Sequence, residues 1–244
     1  MPERILRQDA DGLCTLTLSR PDKLNALDTL AFEELNAHLD DLERDESVGC
    51  VVLRAAGKAF CAGADLKGIS LPSENPLTFK PGVVERLSRL RLPAIAAIHG
   101  VCFTGGLELA LACDIIIADA TARFADTHGK WGLVGAWGMT QRLPRRVGMS
   151  AAKTMMFTSR TVDATEAKAM GLVDILAPEG ALDAAVQEFS GAILANSWYS
   201  NIATKRLLLD TDGMSLSEGL AHESYRYPGF APDHKERIAR FSRK

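Results

Sequence analysis

Apolar and polar positions along the chain alternate between two periods. Leu13 to Ser19 alternates residue by residue and predicts a strand. Asp28 is a good N-cap, and after it Phe32, Leu35, Leu39 and Leu42 keep a 3.6 period, predicting a helix to about Arg44. Cys50 to Arg54 is a short apolar strand ending in Ala55-Ala56-Gly57, where the chain turns. The order then recurs: Glu85 to Arg91 helical, Pro93 to Ile98 a buried strand, Gly105 to Ala112 a helix, Asp114 to Ala118 a strand. Repeated units of this kind imply a stacked, spiral α/β core. Residues 68 to 82, with Pro72, Pro76 and Pro81, predict a loop.

From Gly148 onward the pattern is mostly helical. Ser150 is the expected cap of a helix over Ala151 to Phe157, and Asp163 opens one through Met170, ended by Gly171. Leu182 to Leu194, Ile202 to Leu209 and Leu216 to Tyr225 follow. Pro228-Gly229 breaks the chain before a last helix from about Asp233 to Phe241. The expected organisation is a spiral core over residues 1–195 and a helical C-terminal region over 196–244.

Composition narrows the classes. At 244 residues the chain holds one sizeable domain with a small helical appendage. A net charge of −3 offers no field for nucleic acid or an anionic membrane. Cys14, Cys50, Cys61, Cys102 and Cys113 show no metal spacing, so no metal site is expected, and Cys14, Cys50 and Cys113 sit in apolar runs, which predicts buried thiols in a reducing compartment. Met1 to Leu13 lacks the apolar core of a signal peptide, and no apolar run reaches the length of a membrane span, so the cytoplasm is expected.

Two segments about forty residues apart carry the candidate chemistry: Ala59-Phe60-Cys61-Ala62-Gly63-Ala64-Asp65-Leu66 and Thr104-Gly105-Gly106-Leu107-Glu108-Leu109-Ala110. Each places small residues where a backbone N–H can lie bare beside a ligand. Two converging N–H donors are what a developing thioester enolate oxygen needs. Glu108 lies in an otherwise apolar stretch, where a carboxylate is expensive unless used or paired. Partial burial would raise its pKa toward the range of a general base.

This pair of segments resembles the signature of the enoyl-CoA hydratase/isomerase, or crotonase, family. Arg20-Pro21-Asp22-Lys23-Leu24-Asn25-Ala26-Leu27 is similar to the family's early CoA-contacting stretch. Cys113-Asp114-Ile115, Phe124-Ala125-Asp126, Thr140-Gln141-Arg142-Leu143 and Ala167-Lys168-Ala169-Met170-Gly171-Leu172-Val173 follow at the family's spacing. The resemblance implies a crotonase-type α/β spiral whose C-terminal helices form trimers or hexamers. It implies that the N–H groups of Ala64 and Gly105 form an oxyanion hole and that Glu108 positions water. It assigns acyl-CoA contacts to Lys23, Leu24, Ala26, Ala62, Gly63, Asp65, Leu66 and Lys205, and loosely places Phe230 against a neighbouring subunit's ligand. Coenzyme A enters as part of the substrate, with no separate cofactor, and the pathway setting is fatty acid metabolism.

Three positions depart from the family pattern. Hydratases hold a second glutamate twenty residues after the first, and here that position is His128. Histidine exchanges a proton near pH 7 with little tuning, so it could stand in. Asp126 is a possible substitute carboxylate. Gly132-Leu133-Val134-Gly135-Ala136-Trp137-Gly138-Met139 corresponds to a pocket-lining loop usually richer in Pro and Gly, and its Trp137 would either wall the acyl pocket, favouring flat or short acyl groups, or stack in the core. Thr104 replaces a common glycine, which the fold should tolerate with a negative φ. The leading expectation is syn hydration of a 2-enoyl-CoA by Glu108 and His128. Enoyl-CoA isomerisation, β-keto thioester hydrolysis and a non-catalytic acyl-CoA binder stay open beside it.

Overall fold

The computed structural model describes residues 2–66 and 78–241. A hairpin of β1 (Ile5–Ala10) and β2 (Leu13–Leu18) opens the chain, turning at Asp11-Gly12, both with positive φ. Helix α1 (Thr29–Leu42) follows, its Asp28 cap accepting the Ala31 N–H at 3.0 Å, and then comes β3 (Cys50–Ala55). Helix α2 (Phe79–Arg89) leads to β4 (Ala94–Ile98), a corner at His99-Gly100, and β5 (Val101–Phe103). Helix α3 (Gly105–Leu111) leads to β6 (Ile115–Asp119), a second corner, and β7 (Arg123–Ala125).

Strands after successive helices pair in parallel and in step. The larger sheet runs β1-β2-β3-β4-β6 and ends on β9 (Ile175–Ala177), antiparallel only at the hairpin. The smaller sheet runs β5-β7-β8, with β8 spanning Val162–Asp163. Each corner thus sends one strand into each sheet, and corner stacks on corner. An isolated parallel bridge, Cys61 to Cys102, continues this stacking under the smaller sheet.

The central strands β3, β4 and β6 are buried on both faces, as parallel sheets require. Val51 and Leu53 of β3 face α1, while Cys50 and Val52 face a separate apolar layer formed with α7 (Leu182–Ala195). Between β7 and α7 the chain adds α4 (Met139–Val147), α5 (Met149–Thr158) and α6 (Ala164–Ala169). After α7 come α8 (Trp198–Asp210), α9 (Leu216–Tyr225) and α10 (His234–Phe241). Among the described residues no helix is long and apolar enough to cross a membrane.

The structure corrects several expectations. The expected loop over 68–82 ends early: Phe79 to Gly82 form the first turn of α2, where the N–H that Pro81 lacks has no helical partner to lose. Residues 68–77 of that loop lie outside the described residues. Ser150 is not a cap, because α5 starts at Met149 behind Gly148 with no side-chain cap bond. Helix α8 begins four residues before Ile202, with Ser197 accepting the Ser200 N–H.

Candidate active site

Parallel stacking of the corners brings the two small-residue segments together. Ala64 and Gly105 each lie three residues beyond the Cys61–Cys102 bridge, so they emerge side by side. A Cβ built on Gly105 would stand 3.3 Å from the Ala64 nitrogen. Neither N–H meets an acceptor among the described residues. The first segment is braced from below: the Leu27 N–H donates to the Gly63 carbonyl at 2.8 Å and the Ala62 N–H to Leu24 O at 3.0 Å. Buried Asn25, itself at positive φ, donates to Ala56 O and Ala59 O. Two open donors are therefore fixed in place before any ligand arrives.

Helix α3 carries Glu108 into the same space. It is 1% exposed, and its Oε1 accepts the backbone N–H of Trp137 at 2.8 Å and of Met139 at 3.1 Å. That leaves Oε2 turned toward His128, 3.8 Å from Nε2. Burial raises the Glu108 pKa above the ordinary carboxylate value; the two N–H donors and the nearby imidazole only partly offset it.

His128 is held from the other side. Asp126, buried at the end of β7, accepts the His128 backbone N–H at 3.1 Å and faces Nδ1 at 2.6 Å. Burial alone would lower the imidazole pKa. The hydrogen bond to Asp126 and the charges of Asp126 and Glu108 outweigh it, so the net shift is upward. With its proton on Nδ1 directed at Asp126, the ring presents Nε2 to Glu108. The sequence reading took Asp126 as a substitute carboxylate; its place is behind the histidine. The i, i+2 spacing at a strand end is the one signal that could have paired them.

A cavity of about 500 Å³ opens over these groups. Ala64, Gly105, Glu108 and His128 all line it, as do Lys23, Ala26, Ala62, Asp65 and Leu66. Leu24 and Gly63 lie behind that lining and brace it through backbone bonds. Lys205, which the resemblance assigned to acyl-CoA, does not line this cavity. Its Nζ is buried against Asp114 at 2.7 Å and Leu92 O at 2.9 Å, clamping α8 onto the core. Trp137 does both things considered for it. It lines the cavity, and it packs edge-on to Phe32 with ring centroids 4.8 Å apart. Leu133, Val134 and Ala136, in the loop that the resemblance aligned with a pocket lining, do line the cavity, whereas sequence reasoning missed Lys80, Thr127 and Trp131 on its wall. Thr104 departs from expectation: its φ is +51°.

What the arrangement offers is two N–H donors for one oxygen, with a carboxylate and an imidazole facing the same volume. Among the described residues no group of three His, Cys, Asp or Glu side chains could hold a metal ion.

Comparison with known proteins points the same way. The family described as enoyl-CoA hydratase/isomerase matches residues 8–237. A probable enoyl-CoA hydratase of Rhizobium meliloti (strain 1021) is 35% identical, over 99% of this chain and 96% of that protein. A putative enoyl-CoA hydratase of Thermus thermophilus is 38% identical, over 93% of each. Among solved structures, the enoyl-CoA hydratase from Bacillus anthracis superposes with a TM-score of 0.92 at 31% identity, covering 98% of this chain and 96% of that one. The spiral of stacked corners is thus the crotonase fold, and the chain is a member of the enoyl-CoA hydratase/isomerase family of enzymes.

Proposed function

We propose that this enzyme adds water across the double bond of a 2-enoyl-CoA thioester. The observation that carries the reading is the facing of Glu108 Oε2 and His128 Nε2, 3.8 Å apart, beside two open N–H donors. The thioester carbonyl accepts the Ala64 and Gly105 N–H groups. Glu108, as carboxylate, takes a proton from water as its oxygen bonds to C3. The electron pair of the double bond moves to the carbonyl oxygen, giving the enolate that the N–H pair stabilises. His128, as imidazolium, then delivers its Nε2 proton to C2 and the thioester re-forms. Glu108 ends protonated and His128 neutral; one proton passing from Glu108 to His128 restores both. The thioester itself is the electron sink, so these steps call on no further cofactor.

A pair of acid–base groups supports hydration over the one-base proton shuttle of an isomerase. On binding, Lys23, Ala26, Ala62, Asp65 and Leu66 would flank the CoA arm, with Lys23 meeting phosphate as a point charge. Exposed Leu216, Leu220, Tyr225 and Phe230 in the C-terminal region support its use as an assembly face in a trimer or hexamer. Five buried free thiols support a reducing compartment and hence the cytoplasm.

The test is loss of crotonyl-CoA absorbance, run beside Glu108→Gln and His128→Ala. Rapid loss in the native enzyme that falls about 10²- to 10⁴-fold in both variants supports the reading. Binding of the ester without any loss overturns it.

A further inference from the structure

We propose that Thr104 is a positioning residue that locks the Gly105 N–H to the histidine arm of the site. The inference rests on the oxyanion reading above. Thr104 immediately precedes Gly105, and it is buried with φ +51° and ψ −112°. A β-branched residue rarely adopts such a conformation, whereas a glycine would do so freely. The side chain therefore supplies something a glycine could not.

Its contacts show what that is. The Thr104 N–H donates to Ala125 O at 2.9 Å, on the strand that leads to Asp126 and His128. Its Oγ1 lies 2.5 Å from the Thr127 Oγ1 and accepts the Thr127 N–H at 3.3 Å. On the other flank, a Cβ built on Gly63 would come within 3.2 Å of the Thr104 Cβ and 3.4 Å of the Gly105 nitrogen. One residue thus touches the Gly63–Ala64 arm, carries the Gly105 peptide, and is tied by its hydroxyl to the neighbour of His128. The strained φ aims the Gly105 N–H, and the hydroxyl pair keeps that aim in register with the imidazole.

The experiment uses Thr104→Gly, which relieves the backbone and removes the tie. Thr104→Ser keeps the hydroxyl, and Thr127→Val breaks the tie from the far side. Two readouts are taken: kcat and KM on crotonyl-CoA, and the absorption spectrum of bound 4-(dimethylamino)cinnamoyl-CoA. That chromophore reddens when its carbonyl oxygen is polarised by hydrogen bonds, and needs no turnover.

Expected are a melting temperature for Thr104→Gly no lower than native, kcat down about 10- to 100-fold with KM little changed, and a reduced red shift. Thr127→Val should reproduce the loss and Thr104→Ser should recover most of the native behaviour. Native kcat and a native red shift in Thr104→Gly overturn the proposal. So does a Thr127→Val enzyme that behaves as native, or a native protein that gives no red shift at all. A native red shift that Thr104→Gly and Thr127→Val lose, without any hydration of crotonyl-CoA, supports the positioning role and removes only the hydratase reading.

Discussion

Adding one methyl group at Gly105 sets two effects against each other. Alanine in place of glycine leaves the unfolded chain less entropy to lose, worth up to about 1 kcal/mol, so this effect alone predicts a more stable protein. The new Cβ, however, would stand 2.4 Å from Trp137 Cζ3 and 3.1 Å from its Cε3. Carbon atoms prefer roughly 3.5–4.0 Å, so something must move by about an ångström. Trp137 is pinned by the Phe32 ring and by its own N–H on Glu108 Oε1 at 2.8 Å. If Trp137 yields and its main chain shifts with the ring, Glu108 loses an anchor; if the Gly105 backbone yields, its N–H leaves its aim. Overpacking costs about 1–3 kcal/mol, so the net change in stability is a loss of about 0–2 kcal/mol. Catalysis should suffer more, since losing one oxyanion donor costs about 10²–10³ in kcat. Steady-state rates on crotonyl-CoA and urea unfolding of Gly105→Ala measure both. An enzyme with native kcat would refute the placement of that N–H.

Three other outcomes follow from the same geometry. Activity should be bell-shaped in pH: the acid limb, set by Glu108, lies above the ordinary carboxylate value, and the alkaline limb, set by His128 losing its proton, lies above the ordinary imidazole value. Asp126→Asn removes an upward influence on His128, so its alkaline limb should move to lower pH; an unmoved limb in the rate profile would dissociate the two residues. Lys205→Met should lower stability by about 1–3 kcal/mol in urea unfolding, Asp114 being partly exposed, while acyl-CoA affinity stays native; weakened affinity would restore Lys205 to the site. Burial pushes Cys14, Cys50, Cys61 and Cys113 up to about 12, so a disulfide reagent should label the native enzyme slowly and the unfolded chain at five sites.

Elements with a clean period could be read from the chain. Helix α1 follows its Asp28 cap, and β4 is apolar at every position, as a strand buried on both faces must be. Strand β1 escaped because Ile5-Leu6-Arg7-Gln8-Asp9-Ala10 lies at a sheet edge with its outer positions in water. The short β5, β7 and β8 carry too few residues for a period to show, and they are what stacks the corners. On the cavity wall, the segments of Ala64, Gly105 and Glu108 stood out because turn glycines and a lone carboxylate in an apolar run are local signals, whereas His128 was reached only through the family's spacing. What holds them is not local. Asp126 acts through a side chain two positions away, Thr104 through a hydroxyl twenty-three residues downstream, and Lys205 through a partner ninety-one residues upstream. Family likeness put Lys205 with the ligand, and no local signal pointed to its buried contacts with Asp114 and Leu92.

Trp137 has a consequence for how this enzyme could change its diet. Its main chain holds the base while its ring shapes the chamber and abuts Gly105, so pocket width and catalytic alignment are inherited together at one codon. Drift toward bulkier acyl groups that began by shrinking that indole would keep the main-chain N–H on Glu108 but lose the packing against Phe32 and Gly105 that fixes it. It has freer routes through Leu66, Val134 and Ala136, which line the chamber and have no side-chain polar atom with which to hold Glu108 or His128. Selection for a new substrate should therefore leave tryptophan in place and accumulate its first changes around it.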